Sequence, residues 1–494
     1  MWRLLLFLLI STSCNSYKNG EELSKNYCSS CHSYPAPSLL PKSVWRDGVL
    51  PEMGLILGAV DLEEHLKKKG KISDLEKSLI RKIYGGQQQI SKSDWKKITD
   101  FYLTEAPNFL DSIPQLAIKN DLDSLFHVSL KMDSSQRCIT KLVFESKLDR
   151  FLLAEKRGML KVLNTDFKSL DETYMHGSIA DMAYVNEDTL LVLKFGNMNP
   201  SNIPSGSLVQ FYPKTESKLQ EPIIKNLHRP VDFKKADFDN DGFDDILISN
   251  FGFQIGSLTF HKGVSRHGFK EEIMSPYPGS LKLITEDFDK DGDLDFMVLT
   301  AQGKEDISLY DNQGDDTFSQ RILIKHPPVY GTSDFVFVDM NGDGIRDLVV
   351  AAGDNADYSQ VLKPYHGIYI YHGDEFMNYS LSVFLPLHGA TSLLADDLDQ
   401  DGDEDLAVIA HFADFDNTPE RGFVWIENLG KDKGYLGHTS NKASEGRWLA
   451  LEGFIKNHKK GIIAGSCNLA LGISSTYFTE KDRLGSLISI KPKK

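Results

Sequence analysis

The chain reads as two unlike domains, a small all-α unit followed by an all-β propeller of seven blades. Helix-type apolar spacing with capping residues fills residues 15–112. From 113 onward, four acidic loops each run straight into a β-type stretch, and their starts lie 50, 52 and 58 residues apart. A period near 50 built from strands and turns predicts propeller blades.

The composition separates the same two units. Residues 15–112 carry 14 Lys+Arg against 13 Asp+Glu, whereas residues 113–494 carry 40 against 57. An acidic second domain argues against nucleic acid and against docking on an anionic membrane surface. An apolar content of 41% in 494 residues supports a well-buried core.

Residues 1–14 read as an export signal. Arg3 precedes an unbroken apolar run from Leu4 to Ile10, and small residues then lead into Cys14. The run is too short to span a bilayer. The segment resembles the lipobox of bacterial lipoproteins, which implies acylation at Cys14 and membrane attachment through lipid alone; an ordinary signal cleaved nearby is the other reading. Either one places the chain in the bacterial cell envelope, periplasmic or attached to the outer membrane. Two further cysteines, Cys138 and Cys467, form an even pair, which reads as a disulfide or as two separately buried thiols.

Within the first domain, Cys28-Ser29-Ser30-Cys31-His32 places two thiols at i and i+3 and an imidazole directly after them. The thiols can add to the two vinyl groups of one porphyrin while the histidine takes the iron, so this is a c-type haem motif. A zinc site would need a second ligand pair, and none lies nearby. A thioredoxin-like redox pair would need a βαβ context, whereas this neighbourhood is helical.

A helix should lead into the motif, with Glu21 and Glu22 in its first turn and Leu23 and Tyr27 on one face. Another should start at Ser73 with Leu75, Leu79 and Ile83 on its apolar side, and a closing one at Ser91 with Trp95, Ile98 and Tyr102. This arrangement resembles a class I cytochrome c, in which the first and last helices cross. The resemblance implies electron transfer and a second iron ligand. Met53 is the candidate, 21 residues after His32 and earlier than the family usually places it; His65 is the alternative. Lys67 to Lys69 reads as a solvated helix face or as a docking patch for a redox partner.

The four acidic loops share one pattern. Asp237, Asp239, Asp241 and Asp245 in the first are matched by Asp287, Asp289, Asp291 and Asp295 in the second. The third has Asp339, Asn341, Asp343 and Asp347, and the fourth Asp397, Asp399, Asp401 and Asp405. Oxygen side chains thus stand at positions 1, 3, 5 and 9, with glycine at 6, which is the logic of a calcium loop. All-oxygen ligands favour calcium over zinc. No glutamate stands at position 12, so these are not EF-hands.

The loops resemble FG-GAP/VCBS repeats, such as those of integrin head propellers, and Phe251-Gly252 and Glu427–Gly430 look like further pieces of that repeat. Degenerate copies lie at 139–163, 181–194 and 448–464, which brings the count to seven; six or eight stay open. The strand near Phe126–Met132 should pair with the last blade and close the ring.

The whole chain resembles bacterial cell-envelope proteins that join a cytochrome to such repeats. The leading expectation is an exported haem electron-transfer protein whose propeller is a docking platform holding about four calcium ions. Its redox partner, protein or small donor, is not named by the sequence. The alternatives are a haem-linked oxidoreductase with substrate on the propeller face, for which His388, His411 and His438 are candidate acid-base groups, and a calcium-dependent adhesion or glycan-binding module.

Overall fold

The computed structural model describes residues 19–68, 73–86, 88–132, 138–213, 222–265, 268–314, 317–355, 361–430, 433–456, 459–467 and 485–493. Residues 1–18, with Cys14, and Lys69 lie outside the described residues.

Side-chain caps set the principal helices of the first domain. Asn19 accepts from Glu22 N at 2.8 Å and starts Gly20–Cys28. Ser73 starts Asp74–Tyr84 and Ser91 starts Lys92–Glu105 in the same way. Pro107 forces Ala106 into an extended conformation and ends the last helix. The first and last helices cross at Gly20, where an added Cβ would overlap the Lys97 carbonyl. Leu23, Trp45, Trp95, Ile98 and Tyr102 fill the core between them.

The face of Asp74–Tyr84 differs from the expected one. Leu75 is 56% exposed, whereas Ile80 is buried. Glu76, Ile80 and Tyr84, at i, i+4 and i+8, form the side turned inward. Glu76 Oε1 accepts from the Asn202 backbone N–H and side-chain amide at 3.2 and 3.1 Å. Leu79 and Ile83 are half-buried, so the expected stripe is exposed only at Leu75, and the Glu76 side packs on the second domain.

The second domain has seven sheets around a ring. Blades 3 to 6 begin at Pro230, Ser280, Thr332 and Ser392, and each acidic loop joins the first strand of its blade to the second. The degenerate copies form blades 1, 2 and 7, with first strands Ile139–Glu145, Ser178–Asn186 and Trp448–Lys456. Strand Phe126–Met132 pairs with Gly485–Pro492 as the outer strand of blade 7, which closes the ring with the front of the domain. A two-residue strand, Ile118–Lys119, adds to blade 6 in parallel with Tyr435–His438.

Each blade junction encloses its own apolar cluster. Between blades 3 and 4, for example, Phe238, Leu247 and Phe260 meet Leu283, Phe296 and Tyr310. The buried second strands, such as Asp245–Asn250, contribute to two such clusters at once because their side chains alternate. Inner-strand carboxylates tie neighbouring blades further: Asp232 accepts from Leu283 N at 2.7 Å, and Asp334 from Leu393 N at 2.9 Å. Cys138 and Cys467 form a disulfide that links the start of blade 1 to blade 7. No described helix is long and apolar enough to cross a membrane.

Candidate haem site and acidic loops

The pentapeptide sits where its helix ends. Cys28 is the last residue of Gly20–Cys28, and Ser29 and Ser30 turn the chain back by donating to Lys25 O and Tyr27 O. Both thiols are free. Cys28 is half-buried beside Tyr102, and burial pushes its thiol above the usual range while the Tyr102 contact offsets part of that rise. Cys31 is exposed. His32 Nδ1 lies 2.8 Å from the Ser33 carbonyl. With the proton on Nδ1 that contact is a hydrogen bond, which fixes the ring and leaves Nε2 as the lone-pair nitrogen. These residues fit a covalently attached haem.

Aromatic side chains brace the motif and its exit loop. Tyr102 donates to Pro35 O at 2.7 Å, and the Trp45 indole donates to Pro37 O at 2.8 Å. Their rings lie 4.5 Å apart. Trp45 begins a π-helical turn, Trp45–Val49, that leads into Leu50–Ile56. Met53 lies in that helix, half-buried at the edge of the cluster that also receives Tyr27 and Tyr34. His65, the alternative ligand, faces Glu52 Oε1 at 3.4 Å. Trp45 and its π turn carry no sequence signal beyond a lone tryptophan.

The helical domain is seated on one end of the propeller. Besides the Glu76–Asn202 contact, Tyr365 donates to Leu39 O at 2.8 Å, and Val329 and Val361 pack on the helical core. Asn202, Val361 and Tyr365 lie in connections between second and third strands, and Val329 lies between blades. The acidic loops connect first to second strands and so lie at the opposite end of the ring.

Within each acidic loop, positions 1, 3 and 5 organise the turn. In the second, Asp287 accepts from Asp291 N and Gly292 N at 3.1 Å each, and Asp291 accepts from Asp293 N at 2.9 Å. Three carboxylates come within 4.8 Å of one another in three loops: Asp237, Asp239 and Asp245; Asp287, Asp289 and Asp291; Asp397, Asp399 and Asp401. In the third, Asn341 donates to Asp343 at 3.0 Å and Asp339 accepts from Gly344 N at 2.8 Å.

Position 9 has a second partner set that spacing alone does not reveal. Asp245, Asp295 and Asp347 are buried, and each accepts from the backbone of position 2 and from the third strand of its blade. Asp405 accepts from Asn428 N at 2.9 Å. Burial pushes these carboxyls up, to about 6 at Asp245 and about 8 at Asp405, and the N–H donors oppose the rise.

The third strand also places one side chain beside each loop, and strand register shows that it is the same position in all four. It is Lys262 in blade 3, Asp311 in blade 4, His372 in blade 5 and Glu427 in blade 6. Asp311 comes within 4.8 Å of Asp289 and Asp295, which enlarges that carboxylate set. Lys262, by contrast, places its ammonium 2.5 Å from Asp239. The acidic set of blade 4, which Asp311 enlarges, therefore fits a hard cation best; in blade 3 a lysine already neutralises part of the set, and in blade 6 Glu427 is taken up by His438 at 3.0 Å.

The three candidate acid-base histidines have separate hydrogen-bond partners. His411 is buried and bonds Trp448 O through Nδ1 at 2.9 Å. His438 is buried between Asp121 and Glu427, at 2.7 and 3.0 Å. His388 is half-buried in the connection between blades 5 and 6, its backbone N–H donating to Gln115. Burial lowers the pKa of His411 and of His388.

Comparison with known proteins bears on the second domain. Residues 287–350 match the family described as FG-GAP-like repeat, and residues 389–426 match FG-GAP repeat. No curated protein matches the chain. Among solved structures, the Dos1 propeller is similar at a TM-score of 0.41 and 10% identity, covering 74% of this chain and 80% of that one. The N-terminal domain of Nup159 gives 0.43 and 8%, covering 78% and 98%. The Neurospora crassa Pan2 WD40 domain gives 0.44 and 11%, also covering 78% and 98%. The second domain of this chain is a seven-bladed β-propeller carrying FG-GAP repeats.

Proposed function

We propose that the chain is an exported c-type haem electron-transfer protein whose propeller is a calcium-stabilised docking platform. The observation that carries this reading is the held imidazole of His32, directly after two free thiols at the end of a helix. Cys28 and Cys31 tether the porphyrin, and His32 and Met53 hold the iron. When bound, the haem supplies one-electron exchange. The protein's own part is positional. Ser33 orients His32, Tyr102 and Trp45 stiffen the exit loop, and blades 2 and 5 hold the helical domain in place.

Calcium in the acidic loops would neutralise clustered carboxylates and rigidify blades 3 to 6. It would be held most firmly in blade 4, where the third strand adds Asp311. The acidic propeller favours a redox partner with a basic face. Export, with a lipid on Cys14, is supported by the apolar leader and by the Cys138–Cys467 disulfide, which suits an oxidising compartment.

The test is a spectroscopic redox titration of protein made in cells that attach c-type haem, with carbon monoxide added to the reduced form. The reading predicts a six-coordinate spectrum that ignores carbon monoxide in the wild type and opens to it in Met53→Ala. Ready binding by the wild type would remove Met53 as a ligand and bring the oxidoreductase alternative forward.

A further inference from the structure

A groove of about 520 Å3 opens where blade 7 meets blade 1, between the closing strand Phe126–Met132 and the turn around 164–168. It lies at the same end of the ring as the acidic loops and carries the opposite charge. Lys131, Lys168 and Lys491 line it, facing a single carboxylate, Asp166, which Lys456 already pairs at 3.0 Å. Lys168 and Lys491 have no ion-pair partner among the described residues. Burial and the nearby Lys456 ammonium hold Lys491 below the usual lysine range.

The floor is apolar. Phe167 adopts φ +60, a left-handed backbone that bulky side chains seldom take. Its carbonyl accepts from Lys131 Nζ at 2.8 Å, and its ring lies 5.2 Å from the Lys491 ammonium. Ser129 and Thr165 add hydroxyls to the walls. Three lysines against one carboxylate favour an anion. An inorganic ion alone would leave the apolar floor uncovered, and a neutral sugar would leave the lysines unpaired.

We infer that this groove binds a carboxylated or sulfated sugar unit, anchored by Lys168 and Lys491 over Phe167. Its volume is within the range of small-molecule sites. The groove lies away from Cys28 and His32, so its occupancy is independent of the haem reading.

Calorimetric titration of the full chain tests this, with trigalacturonate and a chondroitin sulfate disaccharide as probes and maltotriose and inorganic sulfate as comparisons. At least one anionic sugar is expected to bind, with affinity falling about tenfold as salt rises from about 0.05 to about 0.5 M. Lys168→Glu, at an exposed position, should weaken binding about tenfold or more with an unchanged melting curve. Lys270→Glu, exposed on blade 3, should leave binding intact. Equal affinity for maltotriose, equal affinity for sulfate alone, no binding of either anionic sugar, or binding unaffected by Lys168→Glu would each overturn the inference.

Discussion

The Tyr365 hydroxyl donates to the Leu39 carbonyl at 2.8 Å, tying the exit loop of the Cys28–His32 motif to blade 5. Because Tyr365 and Asn202 lie at one end of the blades and the acidic loops at the other, the two candidate cofactor sites act on different parts of the molecule. Calcium in the acidic loops would therefore act on the ring and not by touching a haem at Cys28 and Cys31.

Removing that tether should loosen the helical domain while sparing the blades. Tyr365→Phe is expected to cost about 1 kcal/mol, the worth of one hydrogen bond. Hydrogen exchange should speed up in residues 33–44 and stay unchanged in the second strands of the blades. Uniform acceleration throughout the propeller would show that Tyr365 serves blade 5 packing instead.

Latch and ligand roles in the acidic loops separate by mutation. Asp295→Ala leaves Phe288 N and Asn312 N without an acceptor and should cost about 2–4 kcal/mol even without calcium. Asp291→Ala, at the exposed end of the loop, should change stability little in chelator yet reduce the rise in melting temperature that calcium gives. Lys262→Ala should increase that rise by freeing Asp239. Thermal melts with calcium and with chelator check all three arms.

Cys138 and Cys467, 329 residues apart in sequence, staple the first blade to the last beside the closing strand. Cutting so long a covalent loop enlarges the unfolded ensemble. The double substitution Cys138→Ser/Cys467→Ser should therefore lower the free energy of unfolding by about 2–5 kcal/mol. Urea unfolding followed by circular dichroism measures it, and coincident curves would count against a stabilising staple.

His411 makes the protein sensitive to mild acid. Burial lowers its folded-state pKa to about 4 from an ordinary 6.5. Between those values the unfolded chain binds a proton that the folded chain does not, so stability falls as pH drops through that window. The linkage amounts to about 3 kcal/mol. His411→Leu should be less stable than wild type at pH 7, with a gap that narrows toward pH 4. A gap independent of pH would mean that His411 does not resist protonation.

The parts of the fold visible from sequence were those fixed by neighbours along the chain. Ser73 and Ser91 mark helix starts because a cap needs only the next three residues. The acidic loops and the strands after them are visible for the same reason. The exposure of Leu75 and the inward turn of Glu76 carry no local signal, because the partner of Glu76, Asn202, lies far off in sequence. Lys262, Asp311, His372 and Glu427 were missed because only strand register brings them beside loops some twenty residues earlier. His411 and His438, candidate acid-base groups from the sequence, are both buried.

Peptide mass spectrometry on protein from cells that attach c-type haem, paired with a pyridine haemochrome spectrum, decides whether Cys28 and Cys31 carry a haem. One haem covalently bound to the peptide containing Cys28 and Cys31 is expected, lost in Cys28→Ser/Cys31→Ser. Two freely alkylated thiols on that peptide and no haemochrome would contradict it.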